Sequence, residues 1–396
     1  MTYPIILKPK IIVGAPMLTH KGTVILTTPA TRPVKLILIC TRPGYIIKTE
    51  AKGNGGGQMR KIRLGKTGLT VTKTAFGALP AQRLSMEDAV KLLRNAYESG
   101  INFFDTARAY SDSEAKLGAA LSDVRHNIII ATKTQRTAAK EALEELDTSL
   151  KTLKTDYIDI YQLHNPPALP DKDEPGGLYE MLLAQKKAGK IRHIGITNHR
   201  VQNAAAAVKS GMFETLQFPL SYLSSDEDLA LISLCREKDI GVIAMKAMSG
   251  GLITNPAASF AFLSQFDNVA PIFGIQRQSE LEDFIRLEKD PPVLDEAMKA
   301  VIANDRKELS GNFCRGCGYC MPCPQGIHIS WCARMRLLLR RSPYQRLVTP
   351  EWQAEMAKID TCLECGQCTA KCPYELDTPR LLKENLADYR DFVAKL

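Results

Sequence analysis

Long apolar runs are missing from this 396-residue sequence. No uninterrupted apolar stretch reaches the roughly 18 residues that a membrane-spanning helix needs. The N-terminal region has only short apolar pieces, such as 34–40, broken by Lys35, and no continuous hydrophobic segment of the secretory kind. Acidic residues are almost absent from the first 58 positions, where eight Lys/Arg face Glu50 alone for a net of +7. The chain's total is +9, so the remaining 338 residues carry only +2 and bulk charge makes no case for nucleic-acid binding. Cysteine is scarce before position 314, with Cys40 and Cys235 only, whereas nine of the eleven lie between Cys314 and Cys372. Clustered cysteines in a long chain without a secretory signal point to metal ligation in a reducing cytoplasm rather than to disulfides.

Residues 1–58 hold six prolines, no sustained period and a glycine-rich end, Gly53 to Gln58, which reads as a poorly ordered extension. A translated purine-rich ribosome-binding site would look like that glycine run, so the natural protein is alternatively expected to begin at Met59. A peptide from residues 10–50 in the native protein would refute that start. From Met59 the pattern settles. A hairpin is expected around Gly65-Lys66-Thr67-Gly68, and apolar runs follow near 74–77, 101–104, 128–132, 157–163, 191–196, 215–218, 240–244 and 269–273, separated by helical periodicity. Eight strand–helix units argue for a closed (β/α)8 barrel at 59–300, followed after Asp290-Pro291-Pro292 by a small, mostly helical module at 301–396.

Three predicted strands end in polar residues: Asp105 after Phe103-Phe104, Lys133 after Ala131-Thr132, and His164 after Gln162-Leu163; Tyr110 follows Asp105 by five positions. Singly, a strand-end Asp is as well read as a turn former, and His164 before Asn165-Pro166-Pro167 as a loop residue. Together they suit reduction of a carbonyl: a tyrosine donates the proton, a lysine tunes it, an aspartate holds the lysine, and a histidine orients the oxygen.

These residues and their surroundings resemble the aldo/keto reductase family. The resemblance is carried by Leu64 to Leu69, Phe104 to Tyr110, Glu114 to Leu121, Ala131-Thr132-Lys133, Gln162-Leu163-His164, Ile194 to Asn198 and Gln217 to Tyr222. It implies a catalytic set of Asp105, Tyr110, Lys133 and His164. It also implies a nicotinamide cofactor, NADP or NAD, although no G-x-G-x-x-G follows any strand. By position, Thr197, Asn198 and Gln217 are expected at the carboxamide and Tyr222 stacked on the nicotinamide. Lys246, Ser249 and Gly250 are expected around the pyrophosphate, Gly274 at the strand-eight phosphate turn and Arg277 at a 2′-phosphate. The family's acceptors in the next helix are replaced by Glu280, Asp283 and Phe284, which leaves Arg277 equally readable as a solvated helix start. The loop 165–176 is expected over the substrate and names none.

The tail carries Cys314-x2-Cys317-x2-Cys320-x2-Cys323-Pro324 and Cys362-x2-Cys365-x2-Cys368-x3-Cys372-Pro373. The second run is the bacterial ferredoxin signature for a [4Fe–4S] cluster. In two-cluster ferredoxins the fourth cysteine of each run ligates the other cluster, which predicts Cys314, Cys317, Cys320 and Cys372 on one and Cys362, Cys365, Cys368 and Cys323 on the other. The shortened spacing before Cys323 leaves a one-cluster arrangement open, with Cys332 as a spare thiol and zinc as the other metal. The basic stretch 334–341 reads either as an amphipathic helix with a solvated basic face or as an attractor for an acidic redox partner. Aldo/keto reductases with a ferredoxin-like tail form a subgroup that 59–396 resembles. The expected activity is an NAD(P)H-dependent oxidoreductase acting on a small carbonyl substrate, with clusters for electron transfer to a partner protein. The alternatives are an electron-transfer module and a nicotinamide-sensing regulator akin to potassium-channel β-subunits.

Overall fold

The computed structural model describes residues 59–309, 313–341 and 344–396, and among the first 58 residues the backbone of four short strands. Those strands pair as two antiparallel hairpins, Met17–Thr19 with Thr23–Ile25 and Lys35–Thr41 with Gly44–Glu50, where no strand period was expected. The second hairpin is rich in the isoleucine and leucine that suit a pleated ladder. The glycine run before Met59, and with it the question of a start there, lies outside the described residues.

The eight apolar runs form a closed parallel barrel: β1 (Ala75–Gly77), β2 (Phe103–Asp105), β3 (Ile129–Thr134), β4 (Ile158–His164), β5 (Ile191–Thr197), β6 (Thr215–Pro219), β7 (Gly241–Met245) and β8 (Val269–Gly274), with β8 pairing back onto β1. Strands buried on both faces need near-continuous apolar sequence, and β2, β3 and β4 are buried at every position. The outer layer is α1 (Met86–Glu98), α2 (Ser113–Leu121), α3 (Ala139–Leu153), α4 (Leu178–Lys187), α5 (Val201–Ser210), α6 (Asp226–Glu237), α7 (Pro256–Leu263) and α8 (Gln278–Lys289). Local signals start several of them: Ser85 caps α1 through the Asp88 amide, Ser225 and Asp228 form a capping box on α6, and Pro256 opens α7.

The expected hairpin, Lys61–Arg63 with Thr70–Thr72, closes the N-terminal end. Leu64 and Val71 plug the barrel interior against Phe103, Ile160 and Ile243. Its tip can lie on β7 only because Gly65 has no side chain; with φ at +52°, an added Cβ would overlap the main chain at Ile240 and Gly241. The opposite end, where all eight strands finish, is left for chemistry.

After α8, helix α9 (Glu296–Glu308) returns against α7. The tail folds around its own apolar core of Ile327, Met335, Leu338, Met356, Ile359, Leu382 and Leu386. Four short helices, α10 (Ile329–Cys332), α11 (Met335–Arg341), α12 (Pro350–Ala357) and α13 (Gln367–Ala370), gather on the long α14 (Thr378–Val393). The basic stretch is indeed a helix with a buried apolar side, but its basic face is not simply solvated. Arg334 donates to the Gly250 carbonyl at 2.6 Å, and Arg341 pairs with Asp305 and Glu308 at 2.5 Å while donating to the Leu252 carbonyl. These arginines fasten the tail to the barrel. No helix among the described residues is long and apolar enough to cross a membrane.

Candidate active site

Asp105, Lys133 and His164 lie at the ends of β2, β3 and β4, and Tyr110 stands on the loop from β2 to α2. Neighbouring parallel strands in register bring their C-terminal residues together, so the set converges although its members are far apart in sequence. Lys133 Nζ donates to both carboxylate oxygens of Asp105 at 2.8 Å and to the Thr106 carbonyl at 2.6 Å. The ammonium also lies 5.2 Å from the centre of the Tyr110 ring, which meets the His164 ring edge-on at 5.8 Å. Behind them Glu114, fully buried, accepts from Thr132 Oγ1 at 2.6 Å and Ser149 Oγ at 2.8 Å and pairs with Arg108, fixing α2 and its loop on β3.

Burial sets the protonation states. It raises the Asp105 carboxyl and lowers the Lys133 ammonium, and each partner restrains the other's shift. Burial, with the Asp105 charge, holds the Tyr110 phenol well above its usual value. Burial beside Lys133 holds His164 well below 6.5, so its imidazole is neutral, and its Nδ1 is buried without a partner. The site thus presents a protonated phenol and a neutral imidazole to one point, a pair able to donate to an oxygen that gains charge.

The tail reaches this point. Tyr319, between Cys317 and Cys320 in the sequence, lies edge-on to His164 at 6.2 Å and to His199 at 5.0 Å, and His199 Nδ1 bonds the Tyr374 hydroxyl at 2.8 Å. Sequence reasoning missed Tyr319, His199 and Tyr374. Only Tyr319's place between two ligand cysteines hinted at it.

The expected cofactor residues are scattered more widely. Gln217 and Asn198 are buried with their amides engaged: Gln217 receives Gln162 Nε2 at 2.8 Å and donates to Asp105 at 3.4 Å, while Asn198 Oδ1 receives the Arg200 amide at 2.8 Å. Thr197 Oγ1 accepts from the Asn165 amide at 3.0 Å. Tyr222 departs from the expectation of a stacking ring. It is wholly buried, its hydroxyl held by Asp305 of α9 and its carbonyl by Arg306 Nε at 2.6 Å, so it offers no open face. Lys246 donates to the Gly316 carbonyl at 3.3 Å, Ser249 Oγ meets Ser221 Oγ at 3.0 Å, and Gly250 is covered by Arg334. Gly274 is exposed, and nearby Arg277 has a side chain 64% exposed and paired with Glu280 at 2.5 Å.

Eight cysteines ring two small cavities in the tail. Cys314, Cys317, Cys320 and Cys372 line one, with Ile329, Leu376 and Leu381. Cys323, Cys362, Cys365 and Cys368 line the other, with Ile327 and Leu382; Cys320 borders both. Among the described residues, no three Cys, His, Asp or Glu side chains converge on one point as a single-ion site requires. Thiols spread around an apolar cavity fit a polynuclear iron–sulfur group instead. Burial pushes the Cys320 thiol up to about 12 and raises Cys314 and Cys317, so positive metal is what would make them thiolates. Cys332 is fully buried and lines neither cavity.

Comparison with known proteins agrees with this layout. Residues 70–259 match the model of the aldo/keto reductase family, and 313–377 match a 4Fe-4S dicluster domain. The Bacillus subtilis oxidoreductase YqkF is 33% identical over 215 residues, which is 50% of this chain and 67% of the relative. L-galactose dehydrogenase of Arabidopsis thaliana is 32% identical over 218 residues, 50% of this chain and 68% of that protein. An NADH-specific methylglyoxal reductase of Escherichia coli is 28% identical over 226 residues, 50% of this chain and 69% of its own length. Other relatives are spanned less fully; the match takes in 54% of the aldo-keto reductase YhdN of B. subtilis and 42% of this chain, at 29% identity. A solved structure described as an aldo-keto reductase from Pseudomonas aeruginosa superposes with a TM-score of 0.52 at 26% identity, covering 58% of this chain and 94% of that one. The strand-end arrangement and these matches agree: the chain belongs to the aldo/keto reductase family, and it is an oxidoreductase whose barrel is followed by a 4Fe-4S dicluster domain.

Proposed function

We propose that the barrel reduces the carbonyl of a small aldehyde or ketone at the expense of a nicotinamide dinucleotide. The observation that carries this reading is the buried Asp105–Lys133 pair at 2.8 Å beneath the ring of Tyr110, with neutral His164 against that ring. When bound, the cofactor supplies a hydride. The protein's own residues do the rest. His164 orients the carbonyl oxygen, Tyr110 gives it a proton from its hydroxyl, and Lys133 stabilises the phenolate left behind while Asp105 anchors the ammonium. The orphaned Nδ1 of His164 suits such a ligand, because a buried polar atom without a partner is costly until something binds it. NADP is favoured over NAD by Arg277, an exposed guanidinium close to Gly274 in the chain, provided a 2′-phosphate displaces Glu280 from it. Thr197, Asn198 and Gln217 would act at the carboxamide by releasing their present partners.

The cysteine cavities support two clusters, held by Cys314, Cys317, Cys320 and Cys372 and by Cys323, Cys362, Cys365 and Cys368. Such clusters supply one-electron transfer. The contact of Tyr319 with His164 favours a working link between the tail and the barrel, with an external electron-transfer protein as partner. Tyr110→Phe removes the proton donor and keeps the ring. Carbonyl reduction should fall by about 10²–10⁴-fold while reduction of the clusters by dithionite persists. Undiminished aldehyde turnover in Tyr110→Phe would refute the reading.

A further inference from the structure

The roomiest cavity among the described residues is neither the tetrad nor a cysteine ring. A cleft of about 380 Å³ opens at the seam where the ends of β5, β6 and β7 meet the tail. Three cations line it: Arg200 after β5, Lys246 after β7, and Arg315 beside the cluster ligand Cys314. Among the described residues none of the three is ion-paired with a carboxylate. Arg200 donates to the Cys372 carbonyl at 3.3 Å, and its Nε is buried without a partner. Lys246 has the Gly316 carbonyl at 3.3 Å. Arg315 lies flat over the Phe313 ring at 3.6 Å and donates to that residue's carbonyl at 2.6 Å. The hydroxyls of Ser221 and Ser249, 3.0 Å apart, line the same wall. Two carboxylates, Asp228 and Glu375, also border the cleft, but Asp228 is engaged in capping α6 through the Ser225 amide.

Three partly buried cations facing a roomy cleft without counter-charges lack an anion. Guanidinium forks, an ammonium and hydroxyl donors together match phosphate oxygens. We propose that this seam holds the diphosphate of the nicotinamide dinucleotide, with Arg200 and Lys246 contributed by the barrel and Arg315 by the cluster domain. The inference rests on the nicotinamide reading above and deepens it: the tail becomes part of the cofactor site. It also divides the work, because Arg277, outside the cleft, is left with the 2′-phosphate alone.

The test is equilibrium binding of NADH and NADPH to the cluster-loaded protein, with iron content and the cluster EPR spectrum recorded for each variant. Arg200→Ala and Arg315→Ala should each weaken both nucleotides by about tenfold or more, and Arg315→Lys should recover part of that loss. Arg277→Ala should weaken NADPH and spare NADH. If Arg200→Ala and Arg315→Ala bind both nucleotides as the parent does, the seam assignment is wrong. It is equally wrong if Arg315→Lys moves only the cluster spectrum, since the arginine then serves the cluster. If the unaltered protein binds neither nucleotide, the cofactor reading itself falls and takes this inference with it.

Discussion

His164 and Tyr110 owe their chemistry to their surroundings rather than to their residue types. A histidine in water titrates near 6.5, but His164 is packed beside Lys133 and shut away from water, so its charged form is penalised twice. His199, buried beside Lys246, is pushed down to about 3. Both imidazoles therefore stay neutral on either side of pH 6.5, and Tyr110 stays protonated because burial and the Asp105 carboxylate raise it. The pH profile of kcat/KM for carbonyl reduction should accordingly be flat from about pH 6 to 9, without a histidine limb. A limb near 6.5 that disappears in His164→Gln would show that the imidazole is far better solvated than its burial implies. Tyr222 shows the reverse case, in which residue type misleads. Its motif suggested a stacking ring, but packing turned it into the contact with α9, where its hydroxyl meets Asp305.

Among the elements, the pairing of α2 with α3 is the contact on which Tyr110 depends, because the tyrosine's loop ends in α2. The two helices approach so closely at Gly118 that an added Cβ would overlap the Thr152 carbonyl oxygen and sit 2.9 Å from the Leu153 backbone. Backbone cannot swing aside as a side chain can. Gly118→Ala should therefore cost about 1–3 kcal/mol from overpacking, less the roughly 1 kcal/mol that alanine returns in helix propensity. A lowered denaturant midpoint would register the net loss, and an unchanged or raised midpoint would mean that the two helices can separate without penalty. The β7–α7 loop is the second telling element. Its motif points to a phosphate-closing loop, but Lys246, Gly250 and Leu252 meet Gly316, Arg334 and Arg341 of the tail.

At the scale of the molecule, the tail covers the catalytic end of the barrel and brings one cysteine ring next to it. The two rings take their fourth cysteines crosswise, Cys372 with the first run and Cys323 with the second. Anaerobic preparations should contain about eight iron and eight sulfide per chain, as two [4Fe–4S] clusters require. Cys323→Ala should lose or convert the cluster of the second run and leave that of the first. Four iron per chain in the unaltered protein, or zinc without sulfide, would overturn the assignment.

The barrel was legible in the sequence because each of its causes is local. Strands buried on both faces need apolar runs, parallel strands need helices between them, and the chain repeats that pattern eight times. The tetrad and the cysteine runs were legible for a related reason: strand ends converge in this architecture, and cluster ligands keep fixed spacings. Sequence thus determined the architecture, the candidate acid Tyr110 with its supports, and the metal chemistry of the tail. The tertiary structure decided what long-range packing alone can decide. No period or spacing records that Tyr319 lies against His164, that Tyr222 is sealed beneath α9, or that Arg200 and Arg315, far apart in sequence, line one cleft. Those facts follow from how the second module docks on the first, which depends on the shape and hydrogen bonding of two finished surfaces rather than on any pattern along the chain.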